Sequence, residues 1–277
     1  MLQAALRIDD ETGLEERLEH IPTPRGLLYT WSAKPRDSTA GVVICSSIAG
    51  DFTANYHRER LLGLHLASRG LGAIRFHYSG DGNSQGDRRD MTFQTMCLDA
   101  GAVVASVGSM GLESIGLVGT RIGALVAATV GSQLPGAPLV LWEPVVDTGR
   151  FVREAQRAKR MSAVAQQAAA EPPQRPDGVL DALGYDMYPP LLESLEDLDL
   201  PRLLSPAPRP VLIGSIGSRT VAGDTLARTL SDGGFDVQTG AFGLTESWWF
   251  ENEFAPETGN LITETAAWLD RRLAEAT

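Results

Sequence analysis

The chain is poor in the residues from which reactive centres are commonly built. Of its 277 residues, two are cysteine and four are histidine, the latter at positions 20, 57, 65 and 77. Cys45 falls in an apolar strand pattern and Cys97 in a helical one, so both read as reduced, buried small hydrophobes rather than a disulfide or a metal site. No histidine has a metal-ligand spacing to cysteine or glutamate, so neither a metal nor a cofactor is expected. Because His77 is the last histidine, nothing after it can supply an imidazole base. No run of about 18 apolar residues exists, so no membrane span is expected. The first residues, MLQAALRIDD, lack the basic and then apolar pattern of a signal peptide, so the expected location is cytoplasmic. Acidic residues outnumber basic ones 35 to 24, a formal charge of -11, which would repel nucleic acid or an anionic membrane surface. A small-molecule partner fits better, and self-association into an oligomer is compatible with the composition.

What the chain does contain is a strand-helix rhythm. Two early strands are predicted at 2–8 and 25–33, joined through a proline-containing turn at 21–26. Residues 41–46 (GVVICS) form a continuous apolar run, the pattern of a strand buried on both faces. A helix at 54–69 follows, then a strand at 71–77, a glycine-rich loop at 78–87 and a helix at 93–107. Strand 115–118, an alanine-rich helix and strand 138–143 complete the repeats. This order implies a mostly parallel sheet with right-handed crossovers and helices on both faces. The rhythm breaks at 147–200, too long for an ordinary connection, which reads as an inserted α-helical cap or lid on a core of 1–146 and 201–277. Strand 209–215, helix 221–231, strand 235–241 and a final helix at 258–274 close the chain.

The stretch that organises this reading is 117–123, LVGTRIG. An apolar strand runs into a glycine, turns, and enters a helix behind a second glycine, which is the geometry of a nucleophile elbow, G-x-S-x-G. The middle position is Arg121. With the 41–47 run and its loop, the turn HYSGDGNSQG at 77–86, and the insert after Trp142 and Glu143, the whole resembles the α/β-hydrolase fold over roughly 25–276. The motifs GTRIGA, LWEPV, GRF (149–151) and WWFENEFAP (248–256) are similar to the hydrolase-like proteins associated with exosortase systems, in which an arginine also tends to occupy the elbow.

That resemblance implies a triad of elbow nucleophile, acid and histidine base, and the residues at those places are wrong for it. A guanidinium with a pKa above about 12 cannot attack a carbonyl. The turn at 215–220 has no carboxylate, and the loop at 243–250 has no histidine. Arg121 and Glu143 are the candidate catalytic pair. Arg121 would clamp a carboxylate or phosphate, or pair with Glu143, which ends the neighbouring strand and could serve as a base. Ser46 and Ser47, in the loop where the family places its oxyanion hole, could donate to a substrate oxygen or satisfy loop backbone. Asn55, with His57, opens the first helix and could cap or gate the pocket. His77 orients the following loop or lines the site. Trp248 and Trp249 would form an apolar pocket floor or core filling. The expected function is therefore an atypical α/β-hydrolase-like protein that binds or non-covalently transforms a small acyl or carboxylate-bearing metabolite by proton-transfer, lyase, epimerase or cyclase chemistry. The alternatives are a non-catalytic pseudo-hydrolase scaffold and an ester, amide or thioester hydrolase with a relocated nucleophile.

Overall fold

The computed structural model describes residues 5–9, 13–165, 175–182, 184–204, 208–216, 220–242 and 259–275, with the side chains of 158–165 excepted. Eleven strands and eight helices are described. Nine strands form one sheet in the order β1-β2-β3-β5-β4-β6-β7-β10-β11. These are β1 (Ala5–Asp9), β2 (Leu14–Thr23), β3 (Gly26–Pro35), β4 (Ala40–Cys45), β5 (Gly72–Phe76), β6 (Ser114–Thr120), β7 (Leu139–Trp142), β10 (Pro210–Ile216) and β11 (Asp236–Phe242). The first three form an antiparallel meander, β5 runs antiparallel to β3, and every pairing from β5 to β11 is parallel.

Burial explains the central strands. Val42, Val43, Ile44, Leu117, Val118, Leu139, Val140 and Leu141 are all sealed from solvent, so both faces of these strands must be covered. One face packs on α1 (Ala49–Ser68) and α8 (Leu261–Glu275), and Trp142 Nε1 donates to Thr265 Oγ1 at 3.1 Å to anchor the latter. The opposite face packs on α2 (Phe93–Ser106), α3 (Ile122–Gly131) and α7 (Val221–Asp232).

The structure departs from the sequence-based expectation in three places. The segment 14–23 is a strand, β2, where the sequence reading has only a turn at 21–26 between the first two strands. Its charges (LEERLEHIPT) hide the alternation, since both of its faces are at least partly wet, and its pairing with β3 supplies what propensity does not. Helix α1 starts at Ala49, earlier than 54; its first residues, AGDFT, carry no helical apolar spacing and its N-cap Ile48 no capping side chain, the signals from which a start is read. The connection from β7 to β10 contains helices α4 (Thr148–Ala165), α5 (Pro189–Ser194) and α6 (Leu200–Leu204), and in addition a hairpin of β8 (Leu180–Ala182) and β9 (Tyr185–Met187). A lone antiparallel bridge between Asp147 and Asp199 joins the two ends of this connection. The hairpin rests on the start of α1, where Tyr185 Oη and Thr53 Oγ1 lie 2.5 Å apart. No helix among the described residues is long and apolar enough to cross a membrane.

Candidate functional site

Strand β6 ends in the turn that the glycine pair foreshadows. Arg121 takes φ 55° and ψ −117°, between the last residue of β6 and the first of α3. The flanking glycines are required by close approach. A Cβ on Gly119 would lie 2.5 Å from Ala124 Cα, and one on Gly123 would lie 2.1 Å from the Cys45 carbonyl oxygen. Gly123 therefore lets α3 press directly against the end of β4. Four non-glycine residues among those described have positive φ, and three of them, Ala49, Arg121 and Glu143, follow the adjacent strands β4, β6 and β7. Backbone strain is thus concentrated at one stretch of the C-terminal edge of the sheet.

Among the described residues, the carboxylate that meets Arg121 is Asp51, in the first turn of α1, and not Glu143. Arg121 Nε donates to Asp51 Oδ2 at 3.2 Å, and both side chains keep about one-seventh of their surface exposed, 14% and 16%. Glu143 contributes its main-chain carbonyl, which accepts from Arg121 Nη1 at 3.3 Å. Its carboxylate is turned away: Oε1 accepts from the Ile216 N–H at 2.5 Å, tying the end of β7 to the end of β10. Glu143 itself has a positive φ, 42°. The guanidinium carbon also sits 5.8 Å above the ring of Phe151, on α4. Burial raises the pKa of Asp51, opposed by Arg121 and by the Ser47 hydroxyl. Burial likewise raises that of Glu143, opposed by the Ile216 N–H and the charge of Arg121.

The serines of the loop after β4 both address carboxylates. Ser47 Oγ reaches Asp51 Oδ2 at 3.5 Å, joining the Arg121 cluster. Ser46 Oγ donates to Glu59 Oε2 at 2.6 Å, and the same oxygen accepts from Arg75 Nε at 3.0 Å. Glu59, on α1, and Arg75, on β5, are both buried, with the Arg75 guanidinium 3.7 Å from the ring centre of Tyr56. Arg75 in an otherwise apolar strand was the visible signal for this ion pair, since a buried charge needs a partner.

Asn55 lies inside α1 and is buried, not at the helix start. It donates to the Asp51 carbonyl at 2.9 Å and accepts from Arg58 Nη1 at 3.4 Å, so it braces the turn that carries Asp51. His57 is exposed. His77 faces α1 rather than Arg121: its ring lies 4.6 Å from that of Tyr29 and 5.2 Å from that of Phe52, and its Nδ1 accepts from the Asn83 N–H at 2.9 Å. Burial, reinforced by Arg75, pushes its pKa down to about 4. Trp248 and Trp249 lie outside the described residues. Ile48 and Ala49, just before Asp51, also wall a shallow recess shared with Asp81, Arg88, Met91 and, from the β7–β10 connection, Asp186, Met187 and Leu191, which neither Arg121 nor Asp51 lines. Both cysteines are free thiols. No group of three or more metal-ligating side chains occurs among the described residues.

The architecture is the α/β-hydrolase fold. Est1E from Butyrivibrio proteoclasticus matches with a TM-score of 0.67 at 13% identity, covering 93% of this chain and 99% of its own. An esterase from Pyrococcus furiosus matches with a TM-score of 0.60 at 16% identity, covering 96% of this chain and 90% of its own. An alpha-beta serine hydrolase homologue from Coxiella burnetii matches with a TM-score of 0.56 at 18% identity, covering 92% and 96% respectively. No family model matches the sequence, and no curated protein matches it.

Proposed function

We propose that this chain binds a small molecule carrying a carboxylate or acyl group at Arg121 and transforms it without forming a covalent enzyme intermediate, as in proton-transfer, lyase, epimerase or cyclase reactions. The observation behind this reading is the backbone of Arg121. A non-glycine residue in so sparsely populated a conformation costs of order 1–3 kcal/mol and persists where the placement of its side chain matters. What the elbow presents here is a planar cation suited to a carboxylate or a polarised carbonyl. In this reading the Ser-His-Asp chemistry is lost: the tip of the elbow holds no nucleophile and no histidine follows His77. Residues 147–200 act as a lid on the core of 1–146 and 201–277. The arginine at the elbow fits the resemblance to the exosortase-associated hydrolase-like proteins, and the protein works in the cytoplasm.

The test is calorimetric titration with butyrate and with ferulate, the latter because Est1E has been solved with ferulic acid bound. Saturable binding to wild type, lost in Arg121→Ala and weakened in Arg121→Lys, is expected, since lysine keeps the charge and loses the fork. Wild-type protein that binds neither acid, or binds them unchanged after Arg121→Ala, refutes it.

The esterase neighbours favour one other reading, hydrolysis with the nucleophile moved to Ser46 or Ser47. Against it, both residues are buried, at 1% and 0% exposure, and both hydroxyls address carboxylates inside the fold.

A further inference from the structure

We propose that Asp51 is a catalytic base and that water is its reactant: with an ester or thioester held on Arg121, Asp51 directs a water onto the acyl carbon, and hydrolysis proceeds with no acyl-enzyme. This rests on the reading of Arg121 as the acyl-binding cation.

The geometry distinguishes the two oxygens of Asp51. Oδ2 is held from two sides, by Arg121 Nε at 3.2 Å and Ser47 Oγ at 3.5 Å. Oδ1 accepts no hydrogen bond from any described residue, and the side chain keeps 16% of its surface exposed. A carboxylate anchored by one oxygen and open at the other is the arrangement a general base needs, with a heavy-atom reach of about 3 Å to the proton it takes. Asn55 fixes the turn from behind through the Asp51 carbonyl. Burial raises the proton affinity of Asp51 toward the range useful to a base. Glu143 is placed differently. One of its oxygens is committed to the Ile216 N–H, and its contact with the guanidinium is through the main chain.

The steps balance. Asp51 Oδ1 takes a proton from water as the water oxygen bonds to the acyl carbon. The carbonyl electron pair moves onto its oxygen, where the adjacent guanidinium stabilises the charge. As that pair returns, the bond from the acyl carbon to the leaving oxygen or sulfur breaks, and the leaving group takes the proton back from Asp51. Ester and water become acid and alcohol, and Asp51 is regenerated.

The experiment follows p-nitrophenyl butyrate hydrolysis alongside calorimetric binding of butyrate, in wild type, Asp51→Asn and Glu143→Gln. Wild type should turn over without a burst of p-nitrophenol. Asp51→Asn should lose on the order of 10²–10⁴-fold in kcat, the usual contribution of a general base, while still binding butyrate. Glu143→Gln should lose less than Asp51→Asn, since its carboxylate is committed to the Ile216 N–H. The proposal is overturned if wild type does not exceed the buffer rate, if it shows a stoichiometric burst, or if Glu143→Gln rather than Asp51→Asn abolishes turnover. Failure of wild type to bind butyrate overturns the Arg121 reading itself, so the two failures are separable. The burst measurement is made on wild type alone and stands even if Asp51→Asn does not fold.

Discussion

His77 makes the folded protein sensitive to acid in a calculable way. Its Nδ1 accepts from the Asn83 N–H, so the neutral ring carries its proton on Nε2, which is buried and has no hydrogen-bond partner among the described residues. Protonation would place a cation in an aromatic box of Tyr29, Phe52 and Tyr56 and beside the charge of Arg75. The pKa is lowered from 6.5 to about 4. Unfolded chains take up this proton first as pH falls, so the stabilisation is complete above pH 6.5, is lost progressively below it, and levels off under the folded value. At about 1.4 kcal/mol per pH unit, the span corresponds to about 3 kcal/mol, a large share of a typical folding free energy of 5–15 kcal/mol. Carboxylates titrate in the same range, so the comparison is with His77→Asn, which keeps an acceptor for the Asn83 N–H and has no titrating group. Urea unfolding of both proteins from pH 8 to pH 4 measures the difference. It should be constant above pH 6.5 and shrink by up to about 3 kcal/mol at the acid end. Parallel curves, or an NMR titration of His77 near 6.5, would refute the reasoning.

The elbow itself can be probed by glycine. At an ordinary position alanine is the more stable residue, but at the φ of 55° found for Arg121 the order should invert. Arg121→Gly is expected to exceed Arg121→Ala by about 1–3 kcal/mol in urea unfolding. Gly123→Ala drives a Cβ to 2.1 Å from a backbone oxygen and should cost about 3 kcal/mol or more, seen as loss of soluble protein or a sharply lower Tm. Glu59→Ala strands Arg75 in the interior and should cost about 3–5 kcal/mol, whereas Glu59→Leu with Arg75→Met should recover most of it.

The sheet was legible because its strands are apolar on both faces and its punctuation is glycine. The pair at Gly119 and Gly123 marks the elbow in the sequence, and each is glycine because backbone lies where a Cβ would go. β2 was not legible, since its charges satisfy solvent rather than a core and it is a strand only because β3 pairs with it. The hairpin of β8 and β9 escaped because strands of three residues carry no periodicity. The partner of Arg121 was misjudged for a similar reason. Glu143 ends the adjacent strand and so is close in topology, but its carboxylate is committed to the Ile216 N–H, which no pattern announces. Asp51 lies 70 residues away in sequence, and only the packing of α1 brings it to 3.2 Å.

Intact mass spectrometry after incubation with a fluorophosphonate tests the central claim most directly. A site whose elbow carries a cation and whose loop serines are buried should leave the protein mass unchanged while butyrate binding at Arg121 persists. A stoichiometric adduct that maps to Ser46, Ser47 or another serine beside Arg121 would contradict it.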